Sequence, residues 1–139
     1  MDFTVTYTLA ILLAALAVPL SINVTLQRIR VGKEMGELTA AAFGPHPDPR
    51  LTAAMRAHGN LMEYAPFALV LIGLAEFAGA QGTWIWTIAL AFAGGRWLHA
   101  FAMLTNPYPP MLRGVAMLTT YLSMLAPAIF LAFTLTRAG

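Results

Sequence analysis

There is no cysteine anywhere in the 139 residues of this chain. Disulfides, thiolate metal sites and a protein-borne thiol nucleophile are excluded, so any sulfur chemistry needs a thiol supplied from outside. Charge is scarce too: Asp, Glu, Lys and Arg make up 10% of the residues, against roughly 25% in an ordinary soluble domain. The eight basic residues are too few and too dispersed to track a phosphate backbone, which argues against nucleic acid as a partner despite a pI near 9.4. The three histidines show no His-Glu-x-x-His spacing, and His46 in its proline-rich loop reads as solvated, so no metal site is expected. No Gly-rich phosphate loop occurs, and neither Ser21 nor Ser123 has a His and a carboxylate close by in sequence. Internal repeats and low-complexity segments are also missing.

What the chain has in quantity is apolar surface, 59% of its residues. It falls into four blocks, Phe3 to Ile22, Ala57 to Ala80, Trp84 to Leu104 and Met111 to Leu135. Each has about the 20 residues that a helix needs to cross roughly 30 Å of hydrocarbon. The fold class is therefore all-α and integral to a membrane, a four-transmembrane-helix bundle that fills residues 1–139 as a single domain. The first block is preceded by Asp2 and followed by its basic residues, the reverse of a signal peptide, and reads as a retained helix.

Arg28, Arg30, Lys33 and Arg50 lie between the first and second blocks and Arg113 after the third connection, while Gly79 to Thr83 has no basic residue. The positive-inside rule then puts the first and third connections in the cytoplasm and both termini outside, with Arg137 alone opposed. Trp84 and Trp86 would open the third helix at the outer interface. In "GPHPDPR", Asp48 is a helix N-cap and Pro49 a first helical residue, so the second helix starts a turn or two before the membrane. "NPYPP" is a rigid connection between helices three and four.

"RAHGNLMEY", residues 56–64, does not suit such an environment. Arg56, Asn60 and Glu63, spaced i, i+4, i+7, form one polar stripe on an apolar helix. His58 falls on the far side of it. Arg96 and His99, spaced i, i+3, share a face of the third helix. At 1.5 Å per residue Glu63 lies about 10 Å deeper than Arg56 and Arg96 about 12 Å from the Leu104 end, so a Glu63–Arg96 ion pair, within or between subunits, is the simplest compensation for both charges. The positive groups nevertheless exceed the one carboxylate, and the cleft looks prepared for an anion. Glu76 reads as an interfacial carboxylate at the other end. Gly94 and Gly95 would let helices approach closely, and so small a unit with polar groups to hide is expected to oligomerise.

At "RAHGNLMEYAPFALVLIGLAEFAG" the chain resembles the MAPEG superfamily, the membrane-associated proteins in eicosanoid and glutathione metabolism, and looks like a bacterial member. "QRIRVGK" after the first helix, "GRWLHAF" in the third and an arginine at the start of the fourth extend the likeness over most of the chain. The resemblance implies a homotrimer in a bacterial inner membrane, with glutathione as cosubstrate bound between subunits at the cytoplasmic side. It assigns Arg56, Asn60 and Glu63 to the glutathione site, with Arg28 or Arg30 as further candidates, and His99, Arg96 and Arg113 to family positions at or near it. Arg113 would favour the thiolate of glutathione, which would attack a hydrophobic electrophile arriving from the lipid. The chain departs from several family members at Gly59, Met103, Gly114 and Met117, with Tyr121 one turn beyond the last. The implied activity is a glutathione transferase or peroxidase. The competing readings are a non-catalytic trimer that binds lipid or a partner protein, and a proton-coupled exporter, against which the arginine-rich cleft speaks.

Overall fold

The computed structural model describes residues 3–39, 41–42, 47–105 and 109–138. His46 and the Asn106–Pro107–Tyr108 part of "NPYPP" lie outside the described residues. Four helices follow one another, α1 Thr4–Glu34, α2 Pro49–Phe77, α3 Thr83–Leu104 and α4 Pro110–Ala138, with no strand among the described residues. All four are long and apolar enough to cross a membrane.

The end of α1 is where the structure goes beyond its apolar block. The helix continues past Ile22 to Glu34, because Gln27, Arg28, Arg30 and Lys33 are good helix formers even though they are polar. Its 31 residues make about 46 Å of helix, more than the hydrocarbon needs. The extra turns carry the arginines beyond the apolar core.

On α1 a single line of Val5, Leu9, Leu13, Leu16 and Leu20 is buried, and on α2 a line of Ala54, Ala57, Leu61, Ala65, Ala68, Ile72 and Ala75. Both recur every three or four residues, the period of helices that pack side by side at a shallow angle, and the alanines admit the larger α1 side chains. Ile11, Val18, Ile22, Phe67 and Val70 stay exposed on the outer faces, as a surface solvated by lipid requires. Both α2 and α3 touch all the other helices, whereas α1 and α4 do not meet through their described residues. Gly95 is one reason that α3 lies close to α4: a Cβ there would come within 3.2 Å of the Ala116 carbonyl oxygen. Gly94 faces open space and has no such task.

Each end of the bundle is pinned by a carboxylate. Phe3, which precedes α1, makes no capping side-chain hydrogen bond; Glu76, near the end of α2, accepts the backbone N–H groups of Val5 (3.0 Å) and Thr6 (2.8 Å) and the Thr6 hydroxyl. This expected interfacial carboxylate thus caps a neighbouring helix, where the unpaired N–H groups and the helix dipole favour an anion. At the opposite end Asp48 caps α2 through the Leu51 N–H (2.7 Å) with Pro49 as the first helical residue, as the sequence indicates. Val31, Ala41 and Leu51 form a small second core that folds the connection back on α1. A Cβ at Gly32 would lie 2.8 Å from the Leu38 carbonyl oxygen, so only glycine admits that fold.

Candidate functional site

Where α1 and α3 end and α2 and α4 begin, the helices splay around a cavity of about 1310 Å³. That exceeds the roughly 300–1,000 Å³ of ordinary small-molecule pockets, so there is room for a tripeptide and part of a second molecule. Arg56, Asn60 and Glu63 line it together, because the i, i+4, i+7 spacing turns them away from the buried Ala57 and Leu61. His99 and Met103 enter from α3, Arg113 from α4, and Asn23 and Gln27 from α1. His58 is half-buried and takes no part in the lining.

Arg56, Glu63 and Arg113 are exposed to the cavity, while His99 is only 3% exposed. Its Nε2 has no hydrogen-bond partner. A buried polar atom without a partner is uncommon and costs about 1–3 kcal/mol. His99 belongs to the lining of the cavity, but this nitrogen is itself covered, so a ligand atom meets it only if the side chain turns.

Within the chain Arg96 does not pair with Glu63. Arg96 is 2% exposed and its guanidinium donates to Asn60 Oδ1 (2.7 Å), to the Thr120 hydroxyl and to the Met117 sulfur (3.4 Å). Its Cζ lies 5.2 Å from the centroid of the Tyr64 ring and 5.9 Å from that of Phe92. Neutral dipoles and two aromatic faces therefore surround this cation, its Nε has no hydrogen-bond partner among the described residues, and Glu63 is left to the cavity. Arg96 is not on the cavity wall; it touches the site through Asn60. Nor do Arg28 and Arg30 line the cavity. Arg28 donates to the carbonyls of Ala41 (3.1 Å) and Ala42; Arg30 binds Gln27 (2.9 Å), Glu34 (3.1 Å) and Asp48 (2.6 Å). The Arg30 guanidinium, with help from the Leu51 N–H, holds the Asp48 carboxyl below its ordinary pKa.

The cavity also contains a residue that periodicity does not single out, Arg50. Six residues from Arg56, it belongs to no common stripe, and it reaches the cavity because it stands at the mouth, in the first turn of α2. Among the described residues Arg50, Arg56 and Arg113 face a single carboxylate, Glu63, an excess of two positive charges. None of the three forms an ion pair among the described residues. Tyr64 and Thr120 carry no charge and serve Arg96 as a ring and a neutral acceptor, so no pattern of opposite charges in the sequence points to them. Of the family departures, Met103 lines the cavity, Met117 has become a partner of Arg96, and Gly59 and Gly114 leave open space. The Tyr121 hydroxyl is 3.5 Å from that of Tyr64 and lies off the cavity wall.

The model of the MAPEG family matches residues 6–133. The chain belongs to the MAPEG family. It is an integral membrane protein of that family, with the four membrane-spanning helices described above. It is similar to proteins named "Inner membrane protein YecN" from Escherichia coli strains K12 and CFT073, at 33% identity over 60 residues in each case. That stretch covers 43% of this chain and 46% of the relative, so the chain spans less than half the length of the curated relatives it matches. No solved structure matches it.

Proposed function

We propose that this protein is a glutathione-dependent transferase or peroxidase of a bacterial inner membrane, acting on lipophilic electrophiles. The observation that carries the reading is the cavity lined by three arginines and one carboxylate. Glutathione has two carboxylates and one ammonium, and becomes a dianion when its thiol ionises. An excess of two positive charges complements that form. Arginine suits carboxylates through paired hydrogen bonds, and Glu63 answers the ammonium. The family's general association with glutathione and the inner-membrane name of the relatives point the same way.

Catalysis on this reading is thiolate activation. The free thiol has a pKa of roughly 8.5, and an adjacent cation favours its anion. Arg113, at the first turn of α4, takes that role as the thiol proton leaves to water. The thiolate then forms a bond to an electrophilic carbon as the leaving group departs with its electron pair. With a hydroperoxide it takes the terminal oxygen as the O–O bond breaks, and the alkoxide leaves with the electron pair and picks up a proton from water. A second glutathione thiol then attacks the sulfenic acid, giving glutathione disulfide and water. The electrophile enters from the lipid side, the arginine-rich end faces the cytoplasm and both termini lie outside. A homotrimer covers Glu63, which an isolated chain leaves exposed within an apolar helix.

Turnover in proteoliposomes with 1-chloro-2,4-dinitrobenzene and with cumene hydroperoxide tests this. Glutathione-dependent rates with either are expected, and Arg113→Ala should lower kcat at least tenfold, about one unit of thiol pKa, with KM for glutathione changed less than threefold. No turnover of either compound by the wild type would leave a non-catalytic trimer as the better account.

A further inference from the structure

Resting on the glutathione reading, we infer that Arg50 binds the glycine carboxylate of the peptide, and that Arg30 is a positioning residue that acts through Asp48. The resemblance gives the anion-binding task to Arg28 or Arg30. In the structure both are committed elsewhere, Arg28 to two carbonyls of the α1–α2 connection and Arg30 to Glu34 and Asp48. Arg50 lines the cavity and forms no ion pair among the described residues.

The two arginines are linked by a short mechanical path. Arg30 grips Asp48 at 2.6 Å, and Asp48 fixes the first turn of α2 through the Leu51 N–H at 2.7 Å. On either side of it Pro47 and Pro49 are themselves cavity wall, and Arg50 follows. Loosening the clamp therefore moves Arg50 without touching the ligand. The charge layout sets the orientation. Glu63, the one cavity carboxylate, takes the γ-glutamyl ammonium, with Arg56 near that end of the peptide. The chain rises about 20 Å along α2 from Arg50 to Glu63, and a tripeptide of roughly 10 Å with an arginine and a glutamate side chain reaching inward spans that interval. The far carboxylate, that of glycine, falls to Arg50.

Calorimetric titration of the detergent-solubilised protein with glutathione and with γ-glutamylcysteine, which lacks the glycine, separates these roles. Arg50→Gln should weaken glutathione about tenfold, the loss of one charge-assisted hydrogen-bonded contact, and change γ-glutamylcysteine less than twofold. Asp48→Asn, which keeps a capping side chain, should weaken glutathione twofold to fivefold, as Arg30→Gln does, and the double variant should lose no more than either. If Arg30 were itself a ligand, Asp48→Asn would free it and leave glutathione as tight or tighter. That result, or an Arg50→Gln protein with wild-type affinity or with equal losses for both peptides, overturns the inference. Wild type that binds neither peptide removes the glutathione reading itself, and this assignment with it.

Discussion

Replacing Asn60 by alanine should destabilise the protein, whereas replacing Arg96 by methionine should not. Asn60 Oδ1 is the 2.7 Å acceptor for a guanidinium that is 2% exposed and has no carboxylate partner among the described residues. A hydrogen bond to a charged group is worth about 1.5–3 kcal/mol, so about 2 kcal/mol is expected for Asn60→Ala, or roughly 5–10 °C in midpoint for a chain of this length. Arg96→Met removes the desolvated charge and fills most of its volume. It also strands no partner, since the Thr120 hydroxyl still donates to the Ala116 carbonyl (2.8 Å) and Asn60 borders the open cavity. Substituting buried charges by apolar residues is often neutral or stabilising. The two variants and their combination form a double-mutant cycle, read by thermal unfolding in one detergent. The Asn60→Ala penalty should fall below about 0.5 kcal/mol in the Arg96→Met background. An equal penalty in both backgrounds would mean that Asn60 stabilises the bundle by some route other than this cation.

At the opposite end, Glu76→Ala removes three hydrogen bonds from the start of α1 and should cost about 1–3 kcal/mol, with faster amide exchange at Val5 and Thr6; unchanged exchange would deny the cap. Gly95→Val presses on the Ala116 carbonyl oxygen, 3.2 Å from the added Cβ, and should destabilise by about 1–3 kcal/mol, while Gly94→Val, facing open space, stays within about 0.5 kcal/mol; thermal unfolding separates the pair. The Asp48 carboxyl is held below the ordinary carboxylate value of about 4, so the clamp's contribution is complete above that value and fades as pH falls through the lower folded value. Proteolysis of the α1–α2 connection should accelerate below about pH 4 in the wild type, and the Asp48→Asn protein should lack that acid-specific step.

Much of this was legible in the sequence for simple physical reasons. Hydrocarbon thickness fixes the length of apolar blocks, and Asp48 followed by Pro49 marks a helix start that needs no tertiary information. The stripe Arg56, Asn60, Glu63 follows from helical geometry alone and does line one cavity. The end of α1 is not legible in its apolar block, because such a block reports where lipid stops, and a helix does not stop with it. The partners of Arg96 were illegible for a different reason. An opposite charge is the simplest compensation for a buried cation, and the chain supplies instead a carboxamide, a hydroxyl, a thioether and two rings. Arg50 eluded periodicity because it reaches the cavity from a helix terminus, where the fold of the connection decides which way a side chain points. The engagement of Arg28 and Arg30 likewise depends on Ala41, Ala42 and Asp48 returning to α1, contacts 13 to 18 residues apart.

Calorimetric titration of glutathione into the solubilised protein, wild type beside Arg56→Ala, tests the central claim most directly. Arg56 is exposed to the cavity and forms no ion pair among the described residues, so its removal should leave the bundle intact. Saturable binding by the wild type, weakened at least tenfold in the variant, is the predicted result. Absence of binding by a folded wild type, or equal binding by both proteins, would contradict the assignment of this cavity to glutathione.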